Sequence, residues 1–147
     1  MKYLCLTALS ILSILIVAGC GTKTKETETA PATIDGVRPA TQGMMSTAYF
    51  KLVIEHADTD TLISAESEIA GDVQIHESYM TEDGMAGMRE VGLVAVSRGD
   101  SLIFERGGMH LMLLDLKQDL DPGDTVRVEL LFSSGKKYSS ILTVFDN

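Results

Sequence analysis

Two cysteines are all the sequence holds, and both, Cys5 and Cys20, lie near its start. Everything after them is free of thiol. That excludes a disulfide scaffold, Cys-ligated zinc, an iron–sulfur cluster and a cysteine nucleophile from the folded part. Positive charge is scarce: 12 Lys+Arg stand against 21 Asp+Glu, a formal net charge of −9. A nucleic-acid binder normally carries a basic face, and docking to anionic lipid needs basic segments, so both are disfavoured. An acidic chain instead attracts cationic partners or metal ions. No Walker P-loop, GxGxxG, HExxH or GxSxG motif occurs. Composition leaves a Ser–His–Asp triad open, but no local pattern supports one, and the chain reads as a non-enzyme.

The long apolar run sits at the beginning. Lys2 provides a positive start, and Leu4 to Val17 is apolar except for Thr7, Ser10 and Ser13. The run is short for a membrane span, which takes about 20 residues, and it ends in Val17-Ala18-Gly19-Cys20. Residues 1–19 therefore read as a lipoprotein signal peptide. The closing string resembles a lipobox, in which small side chains admit the peptidase and Cys20 takes the lipid. Two or three acyl chains there suffice for stable anchoring. Gly21, with no Asp after the Cys, resembles envelope lipoproteins that reach an outer membrane. The expected location is periplasmic or extracytoplasmic, anchored to a membrane by lipid. Residues 20–40 are polar and Thr-rich and read as a flexible tether.

Residues 41–147 change to short alternating runs broken by turn residues. Strand-like runs cover 48–55, 61–69, 72–79, 88–96, 101–106, 109–116, 125–132 and 137–145. In the third, Val73, Ile75, Glu77 and Tyr79 share one face, while Gln74, His76 and Ser78 share the other. Asp83-Gly84, Gly107-Gly108 and Asp121-Pro122-Gly123-Asp124 mark turns. Seven or eight short strands at this spacing predict one all-β domain, a sandwich or Greek-key barrel.

Chemistry concentrates in histidine and methionine. The histidines are His56, His76 and His110, and seven methionines follow the signal. His110-Leu111-Met112 is an H-x-M pair, and residues two apart on a strand project to one face. His76 and Met88 flank a loop containing Asp83 and Gly84, so a hairpin would bring them together. Two imidazoles and two thioethers form a neutral, soft donor set that suits Cu(I) and poorly suits Mg, Ca or Zn. A blue-copper electron-transfer site needs a Cys, which the domain lacks. Lone methionines usually fill cores, and Met80, Met85 and Met109 are read that way. Met44 and Met45 pack at the domain entrance or guide copper. His56 reads as an exposed loop residue.

The spacing H-x11-M-x21-H-x-M across His76, Met88, His110 and Met112 resembles the signature of PCu(A)C-type periplasmic copper chaperones. Gly107-Gly108-Met109-His110-Leu111-Met112, Asp83-Gly84-Met85-Ala86-Gly87-Met88 and Pro122-Gly123-Asp124-Thr125-Val126 also resemble that family's blocks. The likeness covers about residues 37–147. It implies a cupredoxin-like barrel holding one Cu(I) through those four side chains, with Ag(I) as a mimic. It also implies delivery to the CuA centre of cytochrome c oxidase or to thiol-bearing assembly factors. Glu77 stands where many members carry an optional Met, and it adds charge near the ion or is simply exposed. The lipobox is an addition to the usual soluble form. Two other functions fit the same sequence: a copper-sequestering lipoprotein, and a β-sandwich interaction module without metal. The expected partners are that oxidase subunit or assembly factor and the anchoring membrane; the chain is expected to be monomeric and not to bind nucleic acid.

Ligand softness sets the first prediction. Cu(I) and Ag(I) bind far more tightly than Zn(II), and acid weakens binding because a ligating imidazole must be neutral. Competition titrations at two pH values check both, and comparable Zn(II) and Cu(I) affinities would refute the donor argument.

Overall fold

A computed structural model describes residues 28–29, 33–55 and 58–146. The signal peptide, Cys20, most of the tether and His56 lie outside the described residues. Among those described, eleven strands follow in chain order, with no helix: β1 (Glu28–Thr29), β2 (Thr33–Val37), β3 (Ser46–Val53), β4 (Thr59–Glu66), β5 (Ala70–Met80), β6 (Ala86–Glu90), β7 (Val94–Ser97), β8 (Ser101–Phe104), β9 (Met109–Leu116), β10 (Thr125–Phe132) and β11 (Lys137–Thr143). They form two sheets, ordered β1-β11-β10-β4-β7 and β2-β3-β9-β5-β6, with β8 also paired to β3. Apart from the short parallel β1–β11 pair, neighbouring strands are antiparallel. The all-β expectation holds.

Alternation builds the core. Val126, Val128, Leu130 and Phe132 of β10 point inward and are buried, and they meet Leu111 and Leu113 of β9 and Val73 and Ile75 of β5 in one cluster. Phe50 and Phe104 stack 4.6 Å apart between β3 and β8. Burying one such ring is worth about 1.5–3 kcal/mol, so a chain with few aromatics places them where two strands meet. The buried carboxylate of Asp60 serves structure. It accepts hydrogen bonds from the Ser133 and Ser134 hydroxyls at 2.7 and 2.6 Å and from the Ser134 amide at 3.1 Å, tying β4 to the β10–β11 turn.

Two boundaries and one assignment of burial differ from the sequence reading. The sheet takes in residues before 41, because β2 pairs with β3 and Val37 is wholly buried. The run at 88–96 is two strands in different sheets, β6 and β7, and Val91–Leu93 carries the chain across. Met80 and Met85 are exposed rather than packed in the core, because the β5–β6 hairpin tip projects past the sandwich.

β8 and β9 lie end to end along β3. Ala48 pairs with Leu111 while Phe50 pairs with Phe104. Two steps on β3 thus match seven on its partner, and the chain between β8 and β9 is thrown out as a loop opposite Tyr49. This is a long relative of the β-bulge, and Gly107 turns it at φ +79°.

The sandwich closes where Val37 bridges Val144. Just before it, Gly36 has φ +74°, and a Cβ there would collide with the Thr143 carbonyl oxygen. Gly36→Ala is expected to cost about 2–4 kcal/mol, the sum of left-handed strain and overpacking. Gly99→Ala, at φ +88° with open space around it, costs about 1 kcal/mol. Urea midpoints of the two variants check the difference.

Candidate metal centre

The pairing of β5 with β9 builds the site. His76 lies directly opposite His110, and Gln74 opposite Met112. On the other side of β5, Ser78 lies opposite Met88 of β6. On the other side of β9, Thr47 of β3 lies opposite Met112. Strand parity does the rest. Val73, Ile75, Leu111 and Leu113 go to the core, so His76, His110 and Met112 go to the outer face. That face usually meets solvent, yet His110 is 4% and Met112 8% exposed. A cleft of about 390 Å³ lies over them, lined by Met45, Thr47, Tyr49, Met88, His110 and Met112 among others.

Four side chains singled out by spacing therefore share one face. The His76 and His110 rings are 6.1 Å apart, centroid to centroid. Met88 reaches across β5, and its Sδ is 3.2 Å from His110 Nε2. Met112 Sδ is 3.8 Å from the Thr47 hydroxyl. Met88 is 58% exposed and forms the open side.

Hydrogen bonds fix which ring nitrogen is free. His110 Nδ1 is 3.0 Å from the Gly108 carbonyl oxygen, which can only accept, so Nδ1 carries the proton. Nε2 of the neutral ring then turns a lone pair toward the Met88 sulfur. The β8–β9 loop supplies that carbonyl, which also accepts from the Ser78 amide at 3.1 Å. His76 is held by a chain along its own strand. Gln74 Nε2 donates to Asp72 Oδ2 at 2.9 Å, which orients the Gln74 amide oxygen toward His76 Nε2 at 3.0 Å. His76 Nε2 donates, and Nδ1 keeps its lone pair. Among the described residues, His76 Nδ1 is the buried side-chain nitrogen or oxygen atom with no hydrogen-bond partner. Native proteins seldom leave such an atom unmet.

His110 Nε2 and Met88 Sδ thus face each other with no proton between them, and His76 and Met112 stand on the same face of the sheet. Metal–nitrogen and metal–sulfur bonds of about 2.0 and 2.3 Å, the zinc values, at a tetrahedral angle put one nitrogen and one sulfur roughly 3.5 Å apart, close to the 3.2 Å between His110 Nε2 and Met88 Sδ. Among the described residues, no group of three or more His, Cys, Asp or Glu side chains gathers to hold a metal. The donor set is neutral and half sulfur, which favours a soft monovalent ion over Ca, Mg or Zn.

The remaining candidates separate by parity. Glu77 lies on the face opposite to His76 and pairs with Arg89 at 2.7 Å, so it adds no charge beside the donors. Met45 lines the cleft while Met44 is exposed outside it. Met109 packs against the core. Sequence reasoning missed Gln74 and the Gly108 carbonyl. A polar residue two before a ligand on the same strand face is the signal that marks Gln74.

Residues 29–144 match the model of the LpqE-like lipoprotein family. A relative in Leifsonia xyli subsp. xyli, named as lipoprotein Lxx21020, is 32% identical over 67% of this chain and 59% of its own length. The chain spans about three-fifths of the curated relatives it matches. Among solved structures, the apo PCuAC domain of PmoF1 superposes with a TM-score of 0.61 at 18% identity, over 76% of this chain and 89% of that one, and shows the fold alone. The Cu(I) form of DR1885 from Deinococcus radiodurans superposes with a TM-score of 0.56 at 29% identity, over 80% of each chain. The cupredoxin-like, PCuAC-type fold expected from the sequence is the fold found.

The Gln74 brace generates a prediction. Gln74→Leu leaves the sheet intact but frees the His76 ring. Losing a group that orients a ligand typically costs 10–100-fold in metal affinity, so Cu(I) affinity is expected to fall about that much. A chelator competition measures it, and an unchanged affinity would show that His76 needs no brace.

Proposed function

We propose that this chain, which belongs to the LpqE-like lipoprotein family, is a lipid-anchored, extracytoplasmic copper chaperone holding one Cu(I) between His76, Met88, His110 and Met112. One observation carries the reading: the unpartnered His76 Nδ1 stands on the same face as His110 Nε2, whose lone pair meets the Met88 sulfur at 3.2 Å. Two donors with nothing between them are satisfied by a cation, and the thioethers select a soft one. The likeness to a protein solved with Cu(I) supports the choice of ion.

Copper here is cargo. The sheet fixes His76 and His110 before the ion arrives, so little ordering entropy is lost on binding. Met88 stands at the open edge, where an incoming ligand can replace it first. That exposure favours delivery over sequestration, since a storage site gains by covering its ion. The recipient is the CuA centre of cytochrome c oxidase or a thiol-bearing factor that assembles it. A lipid on Cys20 keeps the domain near a membrane, because the first strand, β1, begins only a few residues further on, at Glu28. The outer membrane is one destination open to such an anchor. No catalysis is assigned. Ag(I) takes the same four donors.

Two experiments test the reading. His110→Ala is expected to lower Cu(I) affinity by about 100-fold or more, beyond the effect of losing a supporting group. Met112→Leu conserves volume, costs under about 1.5 kcal/mol of stability, and still weakens binding. Anaerobic titration of the full chain against a Cu(I) chelator reads both; binding indifferent to both changes would sink the proposal. Deleting the protein from cells then separates two roles. Lost oxidase activity restored by added copper marks delivery, and copper sensitivity with normal respiration marks sequestration.

A further inference from the structure

The cleft has an unexpected rim for an acidic protein. Arg38 lines it, and Arg106 sits beside it on the loop thrown out between β8 and β9. Neither guanidinium meets a carboxylate among the described residues, whereas Arg89, Arg98 and Lys137 each do. Arg106 is also held in place. Its guanidinium carbon lies 5.6 Å from the centre of the Tyr49 ring and 5.1 Å from that of Phe145. Those two rings stack on each other at 6.5 Å, and Tyr49 lies 6.4 Å from His110. Cation–π contacts of this kind orient a long side chain that would otherwise wander. The opposite side of the outer face is acidic, since Asp72 precedes Gln74 there and Glu90 pairs with His76. The centre is therefore polarised, with two guanidiniums on the β3 side, that of Arg106 held by its ring contacts and partly offset by Glu105 of the same loop, and carboxylates on the β5–β6 side.

We propose that Arg38 and Arg106 make the β3 side of this cleft an entry for anionic thiolate ligands that exchange Cu(I) with the site. The inference rests on the copper reading above. A ligand able to take Cu(I) from imidazole and thioether donors must be a stronger soft donor. A thiolate is one, and it arrives negatively charged. Against a chain whose overall charge repels anions, two local guanidiniums lower the barrier to approach, an effect on rate more than on affinity. The exchange is redox-neutral. Each thiol first loses its proton to solvent to become the arriving thiolate; then metal–imidazole and metal–thioether bonds break as metal–thiolate bonds form. Neither arginine is a donor to the ion.

The test uses the full chain in neutral detergent, loaded with Cu(I). Copper removal is timed with 3-mercaptopropionate and with cysteamine, two small thiols of opposite charge. For the Arg38→Gln/Arg106→Gln variant, removal by 3-mercaptopropionate is expected to slow about 3–10-fold at low salt. Removal by cysteamine is expected to be unchanged or faster. The difference should fade near 1 M salt, where the Debye length is about 3 Å. Arg106→Lys, which keeps the charge and alters the stacking, should retain most of the anionic rate. Equal effects of the double variant on both thiols, or no effect on either, would overturn the proposal while the measured Cu(I) affinity stays intact. Failure of the wild-type chain to bind Cu(I) would overturn this inference and the copper reading together.

Discussion

The pairing of β5 with β9 is the constraint on which both core and centre depend. Seven pairs, from Ala70 opposite Leu116 to Glu77 opposite Met109, set one register. A slip of one residue would exchange the faces of a strand. It would carry an imidazole into the inter-sheet core and push Ile75 or Leu111 out to solvent. Burial of the aliphatic residues therefore fixes the positions of the histidines. The hydrophobic effect, which is non-directional, ends up orienting a site because strand alternation converts burial on one face into placement on the other.

Register alone places the rings; hydrogen bonds decide what they offer. On one strand the Asp72–Gln74–His76 chain engages Nε2 and leaves the buried Nδ1 without a hydrogen-bond partner among the described residues. On the other, the Gly108 carbonyl fixes His110. The loop that provides this carbonyl exists because β8 and β9 do not form one continuous strand along β3. The same excursion carries Arg106 onto Tyr49 and Phe145. A single irregularity in the sheet thus serves the ring, the cleft wall and its charge.

Much of this was legible in the sequence. The alternation of Val126, Val128 and Leu130, and of Val73 and Ile75 against His76, marks strands and their faces directly. Turn residues mark most of the ends. The histidine–methionine spacing points to one face of one domain. What alternation could not reveal are events in three dimensions. Val91–Leu93 looks like the middle of a strand but crosses between sheets, because both flanking segments satisfy the same local pattern. Val37 looks like tether because it is a single buried residue beside polar neighbours. Met80 and Met85 read as core because hydropathy says nothing of how far a hairpin projects. Gln74 looks like an ordinary solvent-facing residue until the register sets it in line with His76.

The most direct measurement concerns the tautomers of the two rings. Long-range proton–nitrogen correlation spectra of the metal-free chain report which imidazole nitrogen carries hydrogen. Protonated Nδ1 with bare Nε2 is expected in His110, and protonated Nε2 with bare Nδ1 in His76. Adding Ag(I) is expected to shift the two bare nitrogens and leave the protonated ones in place. The opposite tautomers, or bare nitrogens that ignore Ag(I), would contradict the claim that the sheet presents two fixed lone pairs to a soft ion.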